Sequence, residues 1–266
     1  MKIWYQSYSS AGFDPRWDYY VKVVARHAKR VARPDTQIDF HGPPKFSPKM
    51  THYRYFQYMH GAQAIENALK AQQQGYDAFV LGGMLDLGFY EIRDVLEIPV
   101  LFIAETSFHM SCLLAPNFSI IAVNESVLKG MEELVKRYGL QRRYVPGVHL
   151  GPGSEDALVQ RFDKEAKAVI DIVGRQAKIV KDRGASMIVP GFGTLGLFLA
   201  DQGVREVEGV PVLDSTASLI KMAEMLVDMN KAGMLGSRAD FYPAPTRQEV
   251  QETREYYGVK TPLASK

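Results

Sequence analysis

The chain has 266 residues, of which 46% are hydrophobic and 23% are charged, so its composition is that of a folded domain rather than a disordered or fibrous chain. Its 32 basic and 30 acidic residues leave a formal net charge of +2, which argues against nucleic acid or an anionic membrane as a partner. The single cysteine excludes an intramolecular disulfide and a thiolate metal cluster and favours a reducing compartment. Because no signal-peptide pattern and no apolar run of about 18 residues is present, we expect a cytoplasmic protein without a membrane span.

Short apolar runs alternate with longer helical patterns from the first residues onward. This alternation is typical of βαβ units, in which a parallel sheet is covered by helices on both faces. We therefore predict an α/β fold. The predicted strands are Ile3–Gln6, Gln37–His41, Ala78–Gly82, Val100–Ile103, Ser119–Val123, Met187–Pro190 and Pro211–Leu213.

Three segments between these strands have distinct patterns. The basic cluster Arg26–Arg33 is interpreted as the solvated face and last turn of an amphipathic helix. The stretch Gly42–Tyr55 is rich in proline and aromatic residues and has no period, which predicts a loop of the kind that often covers an active site. The clearest helix is predicted from about Glu155 to Arg183, with Gly184 as its stop.

Two of the predicted strands run directly into glycines. Gly82 and Gly83 follow the strand that begins at Ala78, and the segment Gly191–Thr194 follows the strand that begins at Met187. In open parallel sheets ligands bind at the carboxyl ends of strands, where glycines let backbone amides approach an anion. This internal repetition predicts two pseudo-symmetric lobes, each with a parallel-sheet core flanked by helices, and a ligand site between them. We place residues 1–103 and 215–266 in one lobe and residues 104–214 in the other.

Several segments resemble the aspartate/glutamate/hydantoin racemase superfamily, and its hydantoin racemase branch most closely. In the first half these are Asp77–Val80 with the glycines that follow, Ile98–Val100 and Ala104–Met110. In the second half they are Met187–Gly191 and Val210–Asp214. The resemblance extends over roughly residues 1–230, and it implies a pair of α/β lobes that work without a cofactor.

The resemblance also implies two cysteines that face each other across the α-carbon of the substrate, one removing a proton and the other delivering one. By position, the first would fall at Gly83 and the second at Phe192, and neither of these side chains can carry a proton. Cys112 lies in a helical segment and is interpreted as a buried, inert thiol rather than a relocated catalytic one. We therefore expect a route that does not depend on cysteine.

Asp86, Glu105 and His109 are the candidate catalytic residues. Asp86 follows the first glycine turn, where it acts either in catalysis or as a helix-capping carboxylate. Glu105 and His109 are spaced i and i+4, so on a helix they share one face, and a carboxylate there can orient an imidazole as a general base. A purely structural pair is the alternative.

The candidate substrate-binding residues follow the predicted strands. The resemblance implies a binding turn after the first strand and places the end of the last strand near the site, and the strand-end rule adds the two glycine turns. No metal or cofactor motif is found among the histidines and glycines. The candidates are Tyr8, Ser9, Gly82, Gly83, Phe192, Gly193, Thr194, Asp214 and Ser215.

Two hypotheses of function result. The first is a cofactor-independent enzyme of the superfamily that acts on a small carboxylate or a cyclic ureide such as a hydantoin, as an isomerase, a lyase or a hydrolase. The second is a non-catalytic protein that binds a small metabolite on the same fold. Either way the expected partner is a small molecule, and we expect a homo-oligomer.

Overall fold

The structure is a computed structural model that describes residues 1–47, 49–151, 166–235, 242 and 245–259. Its first sheet is parallel and has the order β2-β1-β3-β4. Every residue of β3 is buried, as expected for a strand covered on both faces. The elements of this half are β1 (Lys2–Gln6), α1 (Asp18–Val31), β2 (Gln37–His41), α2 (Arg54–Gln73), β3 (Ala78–Leu81), α3 (Phe89–Val95) and β4 (Val100–Phe102).

The second sheet is also parallel and has the order β6-β5-β7. A short antiparallel pair, β8 with β9, follows it. The predicted strand Pro211–Leu213 is therefore divided, because Val210–Pro211 pairs with β8 while the amide of Leu213 donates to the carbonyl of Ile188 in β7. The elements are α4 (Ile103–Leu114), β5 (Ser119–Ala122), α5 (Glu125–Arg137), β6 (Val148–His149), α6 (Ala166–Asp182), β7 (Ile188–Gly191), α7 (Gly193–Asp201), β8 (Glu206–Val207), β9 (Val210–Pro211), α8 (Ser215–Lys231) and α9 (Arg247–Tyr256).

One apolar core passes through both sheets. Ile3 and Val80 of the first sheet belong to the same buried cluster as Ile120 and Val189 of the second. Helices α4 and α8 pack against each other, and α8 also contacts β3 and β4. The lobe boundaries expected at residues 103 and 214 coincide with the starts of these two helices; the division itself stays a prediction.

The predicted helix before Gly184 is found from Ala166 to Asp182, and its earlier part lies outside the described residues. Gly184 has a φ of +92°, a left-handed conformation that ends helices and favours glycine. Most of the basic cluster lies on α1, where Arg26 pairs with Asp201 at 2.5 Å. Arg26, Lys29 and Arg30 are exposed, which supports the interpretation of the cluster as a solvated helix face. None of the described helices is long and apolar enough to cross a membrane.

Candidate functional site

A cavity of about 60 Å³ lies where the carboxyl ends of β1, β3 and β7 come together, the position at which open α/β sheets bind ligands. Three turns that follow these strands form most of its wall. Helix α1, the loop before α2 and helix α5 complete it. The residues that line this site cavity are Ser7, Tyr8, Ser9, Trp17, Tyr20, Phe46, Met50, Thr51, Gly82, Gly83, Met84, Leu85, Val127, Phe192, Gly193 and Thr194.

The two glycine turns meet at this cavity, as the sequence predicts. A Cβ atom at Gly193 would lie 3.1 Å from the carbonyl oxygen of Gly82, so the two turns approach each other almost to contact. Phe192 precedes α7, and Thr194 lies buried in the first turn of that helix. The backbone amides at the start of α7 are therefore close to the cavity, where they can stabilise negative charge on a ligand.

Aromatic rings fill the space beside Gly82 and Gly83. A Cβ atom at Gly82 would lie 2.2 Å from the hydroxyl oxygen of Tyr5, and one at Gly83 would lie 2.3 Å from ring carbons of Tyr8. Real Cβ atoms do not make contacts this short, because van der Waals contact between carbons lies near 3.5–4.0 Å. Gly83 therefore cannot take a side chain, including that of cysteine, unless Tyr8 moves.

Tyr8 is held in place by its hydroxyl group. The oxygen accepts a hydrogen bond of 2.8 Å from the backbone N–H of Leu87, and the ring meets that of His60 edge to face. Burial raises the pKa of Tyr8 well above its ordinary value, the amide of Leu87 lowers it, and the charge of Asp86 raises it. Burial lowers the pKa of His60 to about 4. Both groups are thus neutral near pH 7.

A chain of hydroxyl groups leads from the site cavity into the protein. The Oγ atoms of Ser7 and Ser9 lie 2.8 Å apart, Tyr20 is hydrogen-bonded to Ser7 and to Tyr5, and Tyr5 is hydrogen-bonded to Thr216. Burial raises the pKa of both tyrosines, so the chain carries no charge near neutral pH. Hydroxyl groups both donate and accept hydrogen bonds, which suits a ligand that has N–H and C=O groups side by side.

Asp86 lies outside the site cavity and caps a helix. Its side chain, in a residue that is only 1% exposed, accepts hydrogen bonds from the amides of Ala104 and Glu105 and from the hydroxyl of Tyr138. Burial raises the pKa of Asp86 to about 7, although these three hydrogen bonds lower it. The carboxylate thus caps the start of α4. Capping was the alternative role expected for Asp86, but at the helix that follows it in the chain, which is α3.

The expected pair of Glu105 and His109 does not form. The carboxylate of Glu105 lies 2.5 Å from the guanidinium of Arg93 in α3, while Nδ1 of the exposed His109 lies 2.9 Å from the backbone carbonyl of Glu105. The spacing does place both residues on one side of α4. There Glu105 forms an ion pair with Arg93 and His109 faces solvent. Neither residue lines the site cavity, so this geometry gives no support to the pair as a general base.

Asp214 and Ser215 also lie outside the cavity lining. The Asp214 side chain accepts from the amide of Ala217 at 3.0 Å and caps α8. It also contacts His27 at 3.0 Å and Arg205 at 3.1 Å. Burial acts to raise the pKa of Asp214, but these hydrogen bonds and the positive charges hold it below its ordinary value. The buried Ser215 hydroxyl has no hydrogen-bond partner among the described residues.

Cys112 lies half-buried in α4, and it is absent from the described lining of the site cavity. Burial raises the pKa of this thiol, and the nearby Arg143 lowers it. A raised pKa keeps a thiol protonated and unreactive. This position agrees with the interpretation of Cys112 as a structural residue.

Sequence reasoning missed nine residues of the described cavity lining. Ser7, Met84 and Leu85 adjoin residues that were predicted, and Val127 lies on α5. Phe46, Met50 and Thr51 come from the proline-rich loop, whose covering role was expected without any particular residue being chosen. Trp17 immediately precedes α1, and Tyr20 lies in the first turn of that helix. A pattern of apolar residues on a helix gives no signal that separates a cavity wall from ordinary core.

Comparison with known proteins supports the fold and the family. A family model described as Asp/Glu/hydantoin racemase matches residues 18–223. A hydantoin racemase of Pseudomonas sp. (strain NS671) is 32% identical over 238 residues, which is 89% of this chain and 91% of the relative. A hydantoin racemase of Paenarthrobacter aurescens is 27% identical over 85% of this chain and 92% of the relative.

Two solved structures show the same architecture. Allantoin racemase from Klebsiella pneumoniae superposes with a TM-score of 0.75, at 23% identity, over 93% of this chain and 94% of the other. Allantoin racemase from Pseudomonas fluorescens superposes with a TM-score of 0.76, at 20% identity, over 92% of this chain and 97% of the other. At these identities the likeness is one of fold.

Proposed function

The chain belongs to the Asp/Glu/hydantoin racemase family, and from this premise we propose that it acts on a small cyclic ureide, or on a small carboxylate, by a route that does not use a cysteine. One observation carries the proposal. The space that a side chain at Gly83 would need is filled by the ring of Tyr8, and Phe192 lines the same cavity. The two positions at which the resemblance would put thiols are thus taken up by an aromatic wall.

The lining of the site cavity favours a cyclic ureide over a carboxylate. The polar groups of its described side chains are the indole N–H of Trp17 and the hydroxyls of Ser7, Tyr8, Ser9, Tyr20, Thr51 and Thr194. A ureide ring has N–H donors and C=O acceptors that match such groups, whereas a carboxylate prefers a cation. Hydantoin and allantoin, after which the relatives are named, contain rings of this kind. The aromatic wall of Trp17, Phe46 and Phe192 favours an apolar ring substituent.

The chemistry that this cavity supports is the stabilisation of an oxyanion. The backbone amides at the start of α7 can face a ring carbonyl whose oxygen gains charge, and removal of one such donor typically lowers kcat by about 100-fold or more. The neutral hydroxyl chain can donate to a second carbonyl. An isomerase, a lyase and a hydrolase all need such stabilisation, and we leave the choice among these three reactions open.

One observation favours the second candidate, a protein that binds the metabolite without turnover. The titratable side chains in the described lining are the phenols of Tyr8 and Tyr20, and burial raises the pKa of both. A phenol with a raised pKa is a poor base near neutral pH. Proton abstraction by the described lining is therefore disfavoured.

The two candidates separate in one experiment. Each enantiomer of 5-methylhydantoin, whose small substituent suits a cavity of about 60 Å³, is incubated in D2O with the wild-type chain and with Cys112→Ser. The C5 proton and the ring are followed by NMR against a sample without protein, and binding is followed by thermal unfolding. We expect a rise in melting temperature on binding, by mass action, and protein-dependent exchange or ring opening that Cys112→Ser retains. Binding without any reaction would select the second candidate. Loss of reaction in Cys112→Ser would contradict the cysteine-independent route, and no binding at all would refute the cyclic ureide.

A further inference from the structure

A second cavity, of about 410 Å³, lies on the other side of the turn that follows β3. It is bounded by α2, by residues 85–91 and by α5. This volume falls in the range of small-molecule sites, about 300–1,000 Å³. Leu85 lines both this second cavity and the site cavity, so the two spaces share a wall.

The floor of the second cavity is apolar and its rim is polar. Ile65, Phe89 and Leu134 contribute apolar surface. At the rim Arg54 of α2 pairs with Glu133 of α5 at 2.6 Å, so these two charges compensate each other. A ligand with an apolar body would remove the floor from water without breaking that ion pair.

Two charged residues that line the second cavity, Arg137 and Glu91, have no ion-pair partner among the described residues. The guanidinium of Arg137 lies over the rings of Phe89 at 5.6 Å and Tyr90 at 5.5 Å. A guanidinium beside aromatic rings spends none of its N–H groups on them as conventional hydrogen bonds, so these groups can take a carboxylate by two parallel bonds. The carboxylate of Glu91 can form an ion pair with an ammonium group.

The carboxylate of Asp86, which also lines the second cavity, does not offer a third charge of this kind. Its oxygens are already engaged by the amides of Ala104 and Glu105 and by the hydroxyl of Tyr138. The charges left for a ligand are therefore one positive and one negative, beside an apolar floor. A ligand with both charges and an apolar side chain complements all three features.

We propose that the second cavity binds a small zwitterion with an apolar side chain, an apolar α-amino acid, and that its occupancy is transmitted to the site cavity through the turn Leu85–Gly88. The amide of Leu87 in this turn holds the hydroxyl of Tyr8 at 2.8 Å. The amide of Asp86 donates to the carbonyl of Gly83 at 3.3 Å. A ligand packed against the turn thus contacts the segment that fixes Tyr8 and Gly83, both of which line the site cavity.

The binding arm of the test uses phenylalanine and two analogues that each lack one charge, phenethylamine and 3-phenylpropanoate, in calorimetric titrations of the full chain. We expect phenylalanine to bind at least about tenfold more tightly than either analogue, the usual range for loss of one charge-assisted pair. Arg137→Gln should remove the advantage over phenethylamine, which lacks the carboxylate, and Glu91→Gln should remove the advantage over 3-phenylpropanoate, which lacks the ammonium group. Lys136→Gln and Glu97→Gln, which change exposed residues outside the cavity lining, should retain it.

A blocking variant locates the site. Ala62 lines the second cavity and is exposed on α2, so Ala62→Trp should obstruct the cavity and abolish binding. If this variant fails to fold, the two charge variants with their matched controls still decide. Equal affinity for all three probes, or phenylalanine binding that Arg137→Gln and Glu91→Gln leave unchanged, would overturn the proposal.

The transmission arm is measured by hydrogen exchange and does not depend on the reaction at the site cavity. Bound phenylalanine should slow exchange in residues 85–91, which line the second cavity, and also in residues 7–10, which include Tyr8. Tyr8→Phe removes the acceptor of the Leu87 amide, so it should confine protection to residues 85–91 while phenylalanine still binds. Unchanged exchange of residues 7–10 in the wild-type chain would refute the transmission.

Discussion

The contact between Tyr8 and Gly83 can be tested by a double-mutant cycle on stability. The change is Gly83→Ala, made in the wild-type chain and in a Tyr8→Ala chain. Gly83 does not have the left-handed φ at which alanine is strained, so the backbone itself accepts the substitution. Any loss of stability then reports the side-chain space.

The expected loss in the wild-type chain has two parts. The new methyl group would lie 2.3 Å from ring carbons of Tyr8, so the ring must move by about 1 Å or more to restore ordinary contact. Overpacking of this kind destabilises a protein by about 1–3 kcal/mol. The movement also breaks the hydrogen bond of 2.8 Å from Leu87 to Tyr8, and a buried donor without its acceptor costs about 1–3 kcal/mol. Together these two parts lower the expected free energy of unfolding by about 2–6 kcal/mol.

In the Tyr8→Ala chain the ring is absent, so Gly83→Ala should lower the unfolding free energy by less than about 1 kcal/mol. The coupling free energy between the two positions is then at least about 1 kcal/mol, as expected for residues in contact. Urea denaturation followed by circular dichroism measures all four chains. Gly174→Ala is the matched control, because its Cβ atom would meet no atom nearer than 3.6 Å and alanine favours the middle of helix α6. The same loss in both backgrounds would refute the role given to the Tyr8 ring.

Three further predictions concern the polar groups and turns around the site. The pKa of Asp86 is raised from 3.8 to about 7, so the folded chain holds this proton more tightly than the unfolded chain. The contribution of Asp86 to the free energy of unfolding should therefore fall by up to about 4 kcal/mol between pH 4 and pH 7. Asp86→Asn should make the free energy of unfolding in urea depend less on pH over this range, and an unchanged pH dependence would contradict the assignment. Asp214→Ala removes the cap of α8 and should lower the unfolding free energy by about 1–2 kcal/mol, whereas an effect below about 0.5 kcal/mol would rule out this capping contribution. Gly184→Ala should lower it by about 1 kcal/mol because φ is +92° there, although a Cβ atom would meet nothing within 4 Å; a neutral result in thermal unfolding would show that the helix end relaxes.

The strands were the most predictable part of the fold, because a buried parallel strand is a short apolar run with sharp ends. The strand Gln37–His41 agrees at both ends, and the strand from Val100 differs by one residue. The strand β6, Val148–His149, was not predicted, since two residues give no period. The glycine turns were located from the sequence because strand ends and glycines together are a specific pattern.

The acid and imidazole residues were not predictable in the same way. Spacing along a helix gives the shared side of Glu105 and His109, but it does not give the ion pair of Glu105 with Arg93 on a neighbouring helix. Asp86 was recognised as a capping candidate, but the helix it caps begins at Ile103. Contacts between elements that are distant in sequence decided each of these roles.

The packing of Tyr8 against Gly83 also constrains how this sequence can change over time. A codon change that introduces cysteine at Gly83 meets the ring of Tyr8 at 2.3 Å, and most single substitutions are retained only if the chain stays above its threshold of stability. While Tyr8 is present, a side chain at position 83 lowers stability, so a smaller residue at position 8 makes a later change at position 83 easier to tolerate. The two positions are therefore expected to vary together rather than independently.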